Sequence, residues 1–284
     1  MKTLTGKTVV IMGAGGGVGR ALSKAFSNEG ARVAAVDINE KEANETADIL
    51  RRQGFDCLAV CADATDGEAV KSVADTIISE FGHMDVLINS VGIGSGGRVE
   101  RFNLDDWEKT IKVNLWGTLV PIYTFLPHMI ERKQGHIAII SSASGLLASP
   151  FTAPYNTTKF ALVGLGDSMR SELSGYGIGV TTICPTAIRT KFLEHSLVRL
   201  EDDFDTKIHT YLLKFWESAC DPEKAAEIII RAIKKNKPLV VIGNEIKLFY
   251  LLKRFMPFLY YSILDIWGKI MVRMSERASY AASR

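Results

Sequence analysis

Thr8-Val9-Val10-Ile11-Met12 runs directly into Gly13-Ala14-Gly15-Gly16-Gly17-Val18-Gly19, and this junction decides the fold. The first five residues read as a strand buried on both faces. Helical spacing follows from Val18 to Asn28, so the glycines sit between a strand and a helix. In that setting Gly13 permits a tight turn, Gly17 lets a pyrophosphate approach the backbone, and Gly19 lets the helix pack close to the strand. The helix that Val18 opens offers free N–H groups and a partial positive charge to phosphates. Asp37 ends the second strand, eighteen residues after Gly19. A carboxylate there can accept from both ribose hydroxyls and repels a 2′-phosphate. No Lys or Arg stands at positions 14–16 or directly after Asp37, which favours NAD over NADP.

Outward from this junction, strands and helices alternate. Strands are expected at Arg32–Asp37, Asp56–Cys61, Met84–Asn89, His136–Ser141, Gly179–Cys184 and Leu239–Ile242. Helices are expected at Glu40–Gln53, from Asp66 to Phe81, from an Asp105 cap to Arg132, at Pro154–Tyr176 and after Asp221-Pro222. Pro121 should kink or divide the helical region that holds Asn114. Seven strands in this rhythm imply one α/β domain around a doubly wound parallel sheet with right-handed crossovers. The expected organisation is a dinucleotide-binding catalytic domain over residues 1–243, with a lid insertion at 190–219 and a C-terminal helical extension at 244–284.

A second signal lies in the far half of the chain. Tyr155 precedes Lys159 by four residues and follows Ser142 by thirteen. On a helix, Tyr155 and Lys159 share a face. A tyrosine is a poor base at neutral pH because its ordinary pKa is about 10. A nearby ammonium and the positive charge of an oxidised nicotinamide both favour phenolate. Ser142, at the carboxyl end of the fifth strand, is placed to hydrogen-bond a substrate oxygen. A lone Tyr–Lys pair on an amphipathic helix is usually packing. In register with the glycine turn it points to hydride transfer between a nicotinamide cofactor and an alcohol or carbonyl.

The chain resembles the classical short-chain dehydrogenase/reductase family over nearly all of residues 5–243. Gly13, Gly17 and Gly19 fit its GxxxGxG pattern, although Met12 stands where the family usually has Thr. Asp63-Ala64 resembles the family's adenine-contacting pair. Asn89-Ser90-Val91-Gly92 resembles its NNAG, and Pro185-Thr186-Ala187-Ile188-Arg189-Thr190 resembles its PGxxxT. The resemblance implies a Rossmann-like fold and NAD contacts through Asp63, Ala64, Asn89, Val91 and Pro185. It implies that Ile188 and Thr190 hold the nicotinamide carboxamide. It assigns Tyr155 as acid/base, Lys159 as its electrostatic partner, Ser142 as donor to the substrate oxygen, and Asn114 as support for a proton-relay water. It also implies a homodimer or homotetramer packed through the helices containing Asn114 and Tyr155. The expected activity is NAD-dependent interconversion of a secondary alcohol and a ketone. The rival is an NADH-binding redox-sensing or structural protein without turnover.

Bulk properties bound the remaining classes. The net charge is +2, and basic residues do not cluster with aromatics as in nucleic-acid binders. Four cysteines without CxxC spacing fit a reduced compartment, and no signal peptide is visible, so a cytoplasmic enzyme is expected. The histidines show no metal-ligand spacing, and no metal is expected.

Two segments stand outside the strand–helix rhythm. The insertion carries Phe192, Leu193, Leu197, Tyr211, Phe215 and Trp216. It reads either as the wall of a pocket for a lipophilic carbinol or as plain packing on the sheet. In the tail, Asp265, Lys269, Arg273 and Arg277 recur every fourth residue beside an apolar surface of Ile263, Ile266, Trp267, Ile270, Met271 and Met274. Seven Lys/Arg against two acids follow from Lys247 onward. Such a helix suits peripheral membrane contact, or a place against another subunit or over the substrate mouth.

Overall fold

The strands are parallel because each apolar run is followed by a helix long enough to return the chain to the same edge of the sheet. The computed structural model describes residues 2–199 and 219–282, without the side chains of residues 271 and 274–282. Most of the expected lid, including Tyr211, Phe215 and Trp216, falls outside the described residues.

The main sheet contains β1 (Thr8–Met12), β2 (Arg32–Asp37), β3 (Cys57–Cys61), β4 (Val86–Asn89), β6 (Gly135–Ile140), β7 (Ile178–Pro185) and β9 (Leu239–Ile242). Their order is β3-β2-β1-β4-β6-β7-β9, all parallel. Two short strands, β5 (Ser95–Gly96) and β8 (Leu197–Val198), pair with each other above it. The helices are α1 (Gly17–Asn28), α2 (Glu40–Arg51), α3 (Gly67–Phe81), α4 (Leu104–Ile111), α5 (Gly117–Arg132), α6 (Ala153–Leu173), α7 (Pro222–Lys234), α8 (Asn244–Phe255) and α9 (Pro257–Ala282). This is the Rossmann-like architecture expected, a single domain with C-terminal helices.

Strand alternation splits the core into two layers. Val9, Ile11 and Val33 meet Leu22, Phe26, Ile229 and Ile233 on the side of α1 and α7. Val10, Met12 and Leu87 meet Ile77, Phe125, Met129 and Leu162 on the side of α3, α5 and α6. Met12, where the family usually has Thr, is therefore a core side chain. The helix ends follow local chemistry. Asp66 accepts from the N–H groups of Glu68 and Ala69, and α3 stops at Gly82 in the left-handed region, φ 77°.

Two expectations need correction. Asn103, and not Asp105, caps α4: its side chain accepts from Asp106 N–H, while Asp106 accepts from Asn103 N–H. The irregularity expected at Pro121 lies earlier. Lys112–Trp116 forms a π-helical turn, and α5 then runs through both Pro121 and Pro127. All four cysteines are free. No helix among the described residues is long and apolar enough to cross a membrane.

Candidate active site

The strand order reverses between β1 and β4, and a crevice opens there above the carboxyl ends of the strands. The glycine turn forms one wall. Gly13 has φ 79°, and a Cβ there would press on the Ser90–Val91 backbone at 3.1–3.2 Å. A Cβ on Gly19 would collide with the Gly13 carbonyl, so the close approach of α1 to β1 requires glycine. No side chain caps the N-terminus of α1. Its N–H groups are left for an anion, as a dinucleotide pyrophosphate requires.

Asp37 stands against the glycine turn. Its Oδ2 accepts from Gly15 N–H at 2.9 Å and its Oδ1 from Asn39 N–H at 3.0 Å. Glu42, which the sequence reading missed, stands beside it: a Cβ on Gly15 would meet Glu42 Oε2 at 2.9 Å and Asp37 Oδ2 at 3.0 Å. Arg20, the nearby cation on α1, is turned to Thr46 Oγ1 at 3.0 Å and Glu45 Oε2 at 3.4 Å. Asp63 turns the chain after β3 by accepting from Thr65 N–H at 2.8 Å, and Ala64 is buried. These residues fit a nicotinamide dinucleotide: a turn without side chains, free helix N–H groups and a carboxylate where ribose hydroxyls would lie.

Asn89 shows how the next wall is built. Its Oδ1 accepts from Val91 N–H at 3.1 Å, and its Nδ2 donates to the Gly117 carbonyl at 2.6 Å. That carbonyl is available because Pro121, four residues on, has no N–H to give it. Asn114 is fully buried in the π-helical turn. It accepts from Ile93 N–H at 2.7 Å and donates to Ile93 O and to Thr158 Oγ1, each at 3.0 Å. It thereby ties the loop after β4 to α6. A Cβ on Gly92 would lie 3.2 Å from Asn114 Oδ1 and 3.3 Å from Lys159 Nζ, so the two side chains meet at that glycine.

Tyr155 and Lys159 project from α6 toward the end of β6. The Ser142 hydroxyl stands close enough to the Tyr155 phenol to lower its pKa and accepts from Ser144 N–H at 3.1 Å. The adjacent Ser141 instead donates to the Lys159 carbonyl at 2.8 Å. Lys159 Nζ donates to the Ile140 carbonyl at 3.1 Å and lies 5.6 Å from the Tyr155 ring centre. Burial pulls the Lys159 ammonium down to about 8. Burial also pushes the Tyr155 phenol up to about 12, against the lowering effect of Ser142. With no cofactor charge beside it, burial is the largest influence on the phenol. Cys184, beneath the site, is pushed up to about 12 by burial and is no nucleophile.

Two contacts hold Tyr155 that the sequence did not suggest. Ser95 Oγ in β5 accepts from Tyr155 N–H at 3.0 Å, and the Phe192 ring packs at 5.8 Å. Thr190 accepts from Phe192 N–H at 3.3 Å, with its methyl against Gly17. Ile188, buried, bridges to Cys220. Val18, Val91, Pro185, Ile188 and Thr190 all border one cavity of about 520 Å³ with Ser142, Tyr155 and Lys159. Among the described residues Lys159 is the only charged side chain lining it, and Phe151, Phe192, Leu193, Val198, Ile246 and Trp267 supply much of its apolar wall. No group of three or more potential metal ligands occurs among the described residues.

Comparison with known proteins agrees with this fold. The short chain dehydrogenase profile matches residues 7–198. SadH of Mycobacterium tuberculosis, which carries the name of an oxidoreductase, is 32% identical over 258 residues, covering 90% of this chain and 93% of its own length. D-threitol dehydrogenase of Mycolicibacterium smegmatis is 34% identical over 193 residues, 66% of this chain and 72% of its own. A short chain dehydrogenase/reductase from Burkholderia phymatum, solved in complex with NAD, superposes with TM-score 0.84 at 27% identity, covering 89% of this chain and 95% of its own. The chain belongs to the short chain dehydrogenase/reductase family and is a nicotinamide-dependent oxidoreductase acting on CH–OH groups.

Proposed function

We propose that the protein interconverts a lipophilic secondary alcohol and its ketone with NAD(H). The observation that carries this reading is the Ser142–Tyr155–Lys159 group on a cavity beside the glycine turn whose surface is mostly apolar, with serine and threonine hydroxyls but no second charged side chain among the described residues. When bound, NAD(H) would supply the hydride acceptor or donor and, oxidised, a positive charge. Gly13, Gly17, Val18 and Gly19 would hold its pyrophosphate, Asp63, Ala64, Asn89 and Val91 its adenosine side, and Pro185, Ile188 and Thr190 its nicotinamide. Asp37 and Glu42 together repel a 2′-phosphate, which supports NAD over NADP.

Ser142 donates a hydrogen bond to the substrate oxygen, and Tyr155 exchanges its proton. Lys159 has one hydrogen bond to protein, at Ile140, which leaves ammonium donors for the ribose. Asn114 fixes the loop and helix between which relay water passes. The apolar wall favours a carbinol with bulky hydrocarbon on at least one side, in contrast to the polyol in the name of D-threitol dehydrogenase. Assembly as a homodimer or homotetramer through α5 and α6 is supported by Tyr123, which stands exposed on α5, and by Trp116, exposed in the π-helical turn just before it.

The test is a panel of lipophilic secondary alcohols, matching ketones and polyols, followed by NADH absorbance. Turnover should be confined to the lipophilic members and exceed that with NADPH. Tight NADH binding without turnover across the panel would overturn the reading, and better turnover of polyols would overturn the substrate class.

A further inference from the structure

Among the described residues, the tail is the one region that shows apolar side chains to solvent in quantity. Thirteen of the twenty large hydrophobic residues that stand exposed among the described residues lie between Leu248 and Val272. They are ordered. Leu248, Leu251 and Phe255 form one stripe on α8, spaced i, i+3, i+7. Leu259, Ile263, Ile266 and Ile270 form another on α9, spaced i, i+4, i+7, i+11. Phe258, 86% exposed, sits at the joint between the helices. Soluble surfaces seldom carry such a run without a partner.

The tail is nevertheless anchored. Lys253 donates to the Leu146 carbonyl at 2.7 Å and lies over the rings of Phe160, at 4.6 Å, and Tyr260, at 5.6 Å. Leu146 follows Ser142 by four residues, and Phe160 is next to Lys159. Ile246 and Trp267 complete the wall of the substrate cavity. Trp267 therefore belongs both to the cavity wall and to the exposed apolar surface of α9 that carries Ile266 and Ile270. Lys247 and Arg254 flank the stripe on α8, and Lys269 and Arg273 flank that on α9, with Glu245 and Asp265 as the acids nearby. Residues 247–284 carry seven Lys/Arg and two Asp/Glu, a net +5, in a chain of net +2, so the rest is −3.

We propose that α8 and α9 seat on the surface of an anionic lipid bilayer, with the cavity mouth opening onto the lipid. Apolar stripes edged by Lys and Arg match an interface of acyl chains beneath negative headgroups. A second copy of the chain fits less well. Pairing this face with itself would bring Lys247, Arg254, Lys269 and Arg273 of both copies together, and it would cover the tail without explaining why its side chains line the cavity. The surface stands independently of the substrate reading; the direction of the mouth rests on it.

The experiment is sedimentation of the full chain with vesicles of phosphatidylcholine, with and without phosphatidylglycerol. Binding should appear with the anionic vesicles at low salt and weaken at high salt. K269E/R273E should weaken it at least about tenfold, and I266S/I270S comparably. Both variants should keep full turnover of a lipophilic alcohol supplied free in solution and lose about tenfold when the same alcohol is supplied in vesicles. A chain that stays in the supernatant at low salt, or binds neutral vesicles equally well, overturns the proposal. So does an oligomer, sized in solution, that I266S/I270S dissociates. A protein that binds anionic vesicles yet turns over no alcohol sinks the proposed function and leaves the docking surface standing.

Discussion

At the amino ends of β1 and β4, Asp85 is fully buried and richly partnered. It accepts from Thr8 N–H at 3.0 Å, Lys7 and Gln134 at 3.2 Å and Arg132 at 3.3 Å, with His83 at 3.1 Å. At the carboxyl ends, Lys159 is buried to the same degree and makes one hydrogen bond. Burial pushes the Asp85 carboxyl up, but Thr8 and Lys7 hold it below its ordinary range, so it stays charged. Burial acts on Lys159 and Tyr155 with little opposition, and both move toward their neutral forms. One end of the sheet spends its charge on joining strands. The other keeps donors uncommitted, which is what a ligand needs. Mutation at the first end should therefore be read in stability, and at the second in turnover.

The largest effect tests the upper end. Tyr155→Phe should lower turnover by about a thousandfold while leaving NADH affinity and melting temperature near their starting values. A near-normal rate would remove Tyr155 as the acid/base. At the lower end, burial holds His136 down at about 3, and its Nε2 meets Thr181 Oγ1 at 2.9 Å. The folded pKa lies below the unfolded value near 6.5, so stability is intact above pH 6.5 and lost as pH falls toward 3, by up to about 4 kcal/mol. Melting curves from pH 7 to 4 should show this decline, and His136→Gln should flatten it.

Asp85→Asn should cost about 3 kcal/mol of stability and spare kcat. A fall in kcat larger than the loss of folded protein explains would show the two ends to be coupled. Asp37→Ala should shift the NAD-to-NADP preference by about tenfold, read as the ratio of kcat/KM values, with no change in melting temperature. The smallest expected effect is a gain. Gly164 lies inside α6 with open space around a Cβ, so Gly164→Ala should add about 0.5–1 kcal/mol without touching turnover.

Much of this was legible in the residues. The apolar runs of β1, β6 and β7 are buried on both faces, so periodicity could not mislead, and the glycine turn carries its own steric logic. The Asn103 cap was hidden because Asp105 and Asp106 stand beside it, and only geometry shows which side chain accepts. The β5–β8 pair joins residues about a hundred apart through two residues each, too little for any local pattern. Glu42 reads as a solvated helix acid until α2 brings it against Gly15. Trp267 reads as one apolar tail residue among several until α9 returns to the cavity.

The π-helical turn at Lys112–Trp116 has a bearing on how this chain can change over time. Such a turn amounts to one residue inserted into an α-helix. Because the turn absorbs that residue, the helix on either side of it keeps its face. Regularising the turn with no residue lost would swing everything downstream by about 100°: Ile122, Phe125 and Met129 would leave the core, and the Gly117 carbonyl would turn away from Asn89. Deleting one residue between 112 and 116 would spare that core and would instead pull Asn114 away from Ile93 and Thr158. The extra residue therefore serves the site and not the fold: a descendant chain could lose it and still fold, but not with Asn114 in place.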